Sequence, residues 1–158
     1  MDPEANENKT IFAHECHIRD LYAKRLGEFH PGQRLVTVEY GFAGLPESHL
    51  RADMRTVDTG GLRRMWEFKL QARYNALGQV LTYLSLARVE DAFENNIRAV
   101  IAAFDFQPEV KQAVEVLNLG IELVTIPSHL RLAGGIPSLP PPEIVHIPTF
   151  PKIIEESE

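Results

Sequence analysis

The sequence holds one cysteine, Cys16, in 158 residues. A lone thiol makes no internal disulfide and no cysteine-built zinc or iron–sulfur site, so a reducing, cytoplasmic setting is expected. No apolar run approaches the ~20 residues that a bilayer-spanning helix needs, and no membrane contact is expected. The opening MDPEANENK is acidic and polar, unlike a secretory signal. Positive charge is also scarce: 16 Lys and Arg against 22 Asp and Glu leave a net charge of −6. Proteins that coat nucleic acid are usually basic, so any contact with DNA or RNA falls to a local patch. What is present is ordinary, with 44% hydrophobic and 24% charged residues, the balance of a folded globular protein. The length suits one domain with a full core.

Residues 1–9 read as a frayed, flexible tail. Thr10 caps an expected helix from about Ile11 to Leu26, stopped by Gly27, with Ile11, Ile18, Tyr22, Leu26 and Phe29 on one face. Three strand patterns follow at 35–42, 49–57 and 62–70. Gly41, Gly44 and Pro46 break the first, and the turn Asp58–Gly61 joins the other two, giving an antiparallel meander. Residues 76–89 are apolar around most of the helical circumference, which reads as a largely buried helix. Residues 97–104 form a near-continuous apolar run, expected of a central strand covered on both faces. Pro108 opens a helix to about Leu119, stopped by Gly120, and 121–126 is a last strand. This order implies an α/β fold: a mixed central sheet, antiparallel meander plus parallel strands, flanked by helices. The last 32 residues hold seven of the eleven prolines. No regular element is expected there, only an extended tail that wraps the domain or docks on a partner. The chain thus divides into a tail at 1–9, an α/β domain at 10–126 and a proline-rich tail at 127–158.

The informative stretch is 53–69. Glu67 and Lys69 are two apart on a strand, so both leave one face, with Met65. Trp66, Phe68 and Leu70 take the other. If the Asp58–Gly61 turn pairs the two strands, Asp53 comes beside Glu67. Two carboxylates are what a hard divalent cation such as Mg²⁺ takes from a protein, the rest of its shell being water and substrate phosphate. A neighbouring lysine suits a metal-bound water or a charged phosphate. Alone, Glu-x-Lys on a strand is an exposed ion pair of little weight. Its context differs, because the face opposite Trp66 and Phe68 is expected to lie under the first helix. Gln79 and Tyr83, at i and i+4, stack on one face of the next helix; helix periodicity alone makes them a core tyrosine with a glutamine flank.

Asp53, Glu67-x-Lys69 and Gln79-x-x-x-Tyr83, in this order, resemble the PD-(D/E)XK nuclease superfamily, in its RecB-like branch with a Q-x-x-x-Y helix. The resemblance covers about residues 10–126. It implies a restriction-endonuclease-like core and a Mg²⁺- or Mn²⁺-dependent deoxyribonuclease. Asp53 and Glu67 would be metal ligands, Lys69 the catalytic lysine, and Gln79 and Tyr83 would position the substrate strand or Lys69. Ala52 stands where the motif's name has proline. RecB-like members tend to place an acid or histidine on the first helix. Glu15, on the apolar stripe, is the better candidate for a third ligand, with His14 second; Asp20 and His17 fall toward solvent.

Arg51, Arg55, Arg63, Arg64 and Arg73 fall within 23 residues around the proposed site and are candidates for a DNA-backbone groove, although exposed strands also carry arginine to guard their edges. DNA is the expected partner, with a helicase or recombination protein and a homo-oligomer as further possibilities. Two rival readings are a catalytically inactive binding protein of the same fold, and an adaptor that recruits a partner through the proline-rich tail.

Overall fold

The structure, a computed structural model, describes residues 3–42, 50–131 and 144–146. Gly44, Pro46, His49 and most of the proline-rich tail lie outside the described residues, as does the side chain of Ile11.

Helix α1 spans Pro3–Lys24, and a single turn, α2, covers Leu26–Phe29. Residues 3–9, expected as a frayed tail, are therefore helical. Proline suits a first helical position, and Glu4, Ala5, Glu7 and Lys9 are good helix formers. Gly27 does not stop the helix; the chain breaks at Arg25, and Gly27 lies within α2. The strands β1 Gln33–Gly41, β2 Arg51–Asp58 and β3 Arg63–Ala72 form the expected meander. Its β2–β3 turn is built by Asp58, whose Oδ1 accepts the amides of Gly60 and Leu62 at 2.9 Å. Gly61 there has φ +85°, a conformation that favours glycine. Helix α3 Tyr74–Glu90, β4 Ile97–Phe106, α4 Pro108–Leu117 and β5 Ile121–Thr125 follow. α4 ends at Asn118, which takes the left-handed conformation tolerated by asparagine, two residues before the expected Gly120 stop.

The sheet is mixed, in the order β1-β2-β3-β4-β5 and then a sixth strand at Ile144–His146, with β3–β4–β5 parallel and the remaining pairs antiparallel. The sixth strand, β6 (Ile144–His146), and a 3-10 turn at Ser128–Arg131 correct the expectation of no regular element after residue 126. A short stretch between prolines can pair with the free edge of β5, since its amide groups are intact.

Each face of the sheet carries its own core. On one side α3 buries Ala76, Val80, Tyr83 and Leu84 with Met65, Ala99, Ile101 and Val114 of α4. On the other, Ile18 and Tyr22 of α1 and Phe29 of α2 pack on Trp66, Phe68 and Val100. The first helix thus covers the Trp66/Phe68 face, not the opposite one as expected from the sequence. β3 is apolar on both sides, and period-two alternation does not say which helix takes which face.

Candidate active site

β2 and β3 begin as a regular ladder at Val57–Arg63, and the pairing stops at Met54–Trp66. Beyond that point β2 stays with β1 as far as Gly41–Arg51, while β3 stays with β4 as far as Ala72–Phe106. The sheet therefore forks at Asp53 and Glu67, the next positions along each strand. Forking leaves β3 amides without strand partners, and buried N–H groups must be satisfied. Two carboxylates do this. Asp53 Oδ2 accepts the Phe68 amide at 2.7 Å, and Glu15 Oε2, reaching in from α1, accepts the Leu70 amide at 2.9 Å.

The fork opens a cleft of about 250 Å³ lined by Glu15, Asp53, Glu67, Lys69, Gln79 and Tyr83, the six residues singled out as catalytic from the sequence. At ~30 Å³ per liquid water, it has room for a phosphodiester group and several waters. Lys69 Nζ lies 3.4 Å from Glu67 Oε1, while Glu67 Oε2 is buried and has no hydrogen-bond partner. Gln79 Oε1 is likewise buried and unpartnered. Both orphans are acceptors, each open to a donor or a cation.

Burial also shifts the acids of the cleft. Burial, reinforced by the Asp53 charge and opposed by Lys69, pushes Glu67 up to about 8. Burial also raises Asp53, against the Phe68 amide, Arg19 and Lys69. It raises Glu15 too, against Lys69 and the Leu70 amide. Tyr83 is raised by burial and by the charges of Glu67 and Asp53. Three acids held above their ordinary range by burial in one cleft mark a candidate functional site. They do not form a ready-made cage: among the described residues no three His, Cys, Asp or Glu are gathered closely enough to hold a metal ion. Asp53, Glu67 and Glu15 all line the cleft, and Asp53 and Glu15 each give one oxygen to a β3 amide.

The arginines divide. Arg51 lines the cleft, and Arg73 is exposed just past β3, bonded to Gln71 Oε1. Arg55 stacks over the Tyr40 ring at 4.6 Å, and Arg63 pairs with Asp91 at 2.8 Å. Arg64 binds Glu122 at 2.7 Å and Asp58 at 3.1 Å. These last three are engaged within the domain, outside the cleft. Of the helix candidates, Glu15 lines the cleft and Asp20 is exposed beside Arg19, as expected. His14 does not line it, and His17 is exposed.

Three polar cleft residues were missed by sequence reasoning: Cys16, Arg19 and Glu39. Arg19 had a signal, since it stands four residues after Glu15 on the same helical face. Glu39 had one only through strand register, because Val38–Met54 and Tyr40–Ala52 pairing sets it opposite Asp53.

No family model matches the sequence, and no curated protein matches it significantly. Solved structures do match in fold. A repair endonuclease from Pyrococcus abyssi superposes with TM-score 0.60 at 19% identity, over 71% of this chain and 46% of its own. EndoMS in complex with dsDNA gives 0.59 at 17%, over 71% and 44%, and EndoMS in its apo form 0.55 at 17%, over 72% and 47%. The domain thus has the fold of repair endonucleases. It spans less than half the length of each of these neighbours.

Proposed function

We propose that this chain is a metal-dependent deoxyribonuclease of PD-(D/E)XK type, RecB-like, with Gln79 and Tyr83 as its Q-x-x-x-Y pair. The observation that carries the reading is the orphaned Oε2 of Glu67, buried in the fork beside Asp53, Glu15 and Lys69. A buried acceptor among acids raised by burial is costly unless a cation completes it. An all-oxygen set with space for water and phosphate fits Mg²⁺ or Mn²⁺. Asp53 and Glu67 would hold the ion, assisted by Glu15; once bound, it would polarise the phosphate and acidify a water. Lys69 Nζ, beside Glu67, orients the attacking water and offsets charge growing on the phosphate. Gln79 and Tyr83 wall the cleft and fix the position of the strand, and Arg51 at the cleft meets the backbone. The EndoMS–dsDNA neighbour supports DNA as the substrate.

The test is cleavage of linear duplex and single-stranded DNA. Mn²⁺ or Mg²⁺ should support cutting, while Ca²⁺ and EDTA should not. Lys69→Ala should lose cutting with an unchanged circular dichroism spectrum. Undiminished cutting in EDTA overturns the reading.

A further inference from the structure

Arg19 and Glu39 lie in the cleft without a role in the scheme above. Arg19 is 5% exposed. Its Nε and Nη2 donate to Asp20 Oδ1 at 3.0 and 2.9 Å, and its Nη1 to Glu39 Oε1 at 3.4 Å. The side chains of both partners are largely in water, 52% exposed for Asp20 and 59% for Glu39. A buried guanidinium needs compensation, and the same protein shows what a permanent solution looks like. Arg64 meets Glu122 at 2.7 Å, with both side chains nearly buried, at 13% and 11% exposure. Arg19 instead relies on carboxylates at the water's edge, one of them at the long limit of a hydrogen bond.

Glu39 is also in an unusual backbone state. Its φ is +53° in the middle of β1, while Val38 and Tyr40 on either side keep their register with Met54 and Ala52. A non-glycine residue in that region is uncommon, and such strain tends to collect at functional sites. The outlier stands opposite Asp53, on the lining of the cleft. Guanidinium groups take carboxylate and phosphate oxygens in the same forked geometry.

We propose that Arg19 is a phosphate-holding residue of the cleft, and that Glu39 is an exchangeable stand-in that leaves it when a nucleic-acid phosphate arrives. The inference rests on the nuclease reading. The phosphate has two sources, an internal phosphodiester or a terminal phosphate, and both present the same oxygens.

The experiment is fluorescence anisotropy of a labelled 12-nucleotide DNA in Ca²⁺ buffer, carrying either a 5′-phosphate or a 5′-hydroxyl. Arg19→Gln should weaken binding about ten- to a hundredfold, and Arg19→Lys, which keeps the charge but loses the fork, less. Glu39→Gln should tighten binding severalfold in the native background and change it less than about twofold in Arg19→Gln. Loss on both oligonucleotides assigns the internal phosphodiester; loss confined to the 5′-phosphorylated strand assigns the terminal group. In steady-state cleavage the Arg19 variants should raise KM more than they lower kcat. Should Arg19→Gln fail to fold, Glu39→Gln and Arg19→Lys decide alone. An equal gain from Glu39→Gln in both Arg19 backgrounds, Gln or Lys against native, means general charge repulsion and overturns the inference. So does unchanged binding in the folded Arg19 variants. Absence of DNA binding by the native protein overturns the nuclease reading along with it.

Discussion

The two ends of β3 handle buried charge in opposite ways. At its start, Arg64 donates to Glu122 and to Asp58, Arg98 adds a contact to Glu122 at 3.4 Å, and the Asp58 carboxylate also caps the turn amides. Every one of these acids faces a cation, and the β2–β3 ladder beside them is intact. Four residues along, the ladder has opened, two carboxylates substitute for strand carbonyls, and Glu67 keeps a buried oxygen with no partner. A closed polar network specifies a fold, whereas an open one costs stability until something completes it. The contrast separates charges that this domain satisfies internally from those it leaves open.

The largest effect should come from the open end. Lys69→Ala should lower DNA cleavage by about a thousandfold, within the range for loss of a positioned proton-handling or charge-stabilising group, with little change in melting temperature. Next comes the closed end. Glu122→Gln leaves Arg64 and Arg98 short of a counter-charge and should cost about 3 kcal/mol. Thermal unfolding would read this as a drop of about 10 °C, while cleavage at permissive temperature should persist.

A third effect depends on pH. His30 stands beside this network, with its Nε2 2.6 Å from the Tyr22 hydroxyl, and burial followed by the Arg64 charge pushes it down to about 4. The folded state therefore keeps His30 neutral where the unfolded chain, near pH 6.5, takes up a proton. Its contribution is complete above pH 6.5 and is lost as pH falls toward 4. Because the raised Glu67 acts in the opposite direction over the same range, the measurement is the difference between native protein and His30→Gln: by urea unfolding, native protein should lose about 2 kcal/mol more than the variant between pH 7 and pH 5. The smallest effect sharpens the comparison most. Glu67→Gln in EDTA should leave stability unchanged or raise it by up to about 1 kcal/mol, because it removes a carboxyl whose ionisation burial already opposes. A loss as large as that of Glu122→Gln would show that the fork is as closed as the network.

The six catalytic candidates were legible because their grouping depends on short periods: two on β3 for Glu67 and Lys69, four on α3 for Gln79 and Tyr83, and one tight turn between Asp53 and Glu67. The fork itself was not. One of the two carboxylates that satisfy the freed β3 amides, Asp53, is next to Met54, but the other, Glu15, is 55 residues from the amide it accepts. Arg64 looked like a groove residue because Glu122, its partner, lies 58 residues further on. The covering of the two sheet faces was misassigned because Met65 and Trp66 are both apolar, and only the packing of α1 and α3 distinguishes them. β6 was missed because its pairing depends on the free edge of β5.

The most direct measurement is calorimetric titration of Mn²⁺ into the native protein, Asp53→Asn, Glu67→Gln and Glu122→Gln. The expected result is a binding isotherm for the native chain and for Glu122→Gln, and its loss or strong weakening in the two fork variants. Binding that survives equally in all four proteins, or that disappears only with Glu122→Gln, would contradict the assignment of the open end of β3 as the metal-dependent active site.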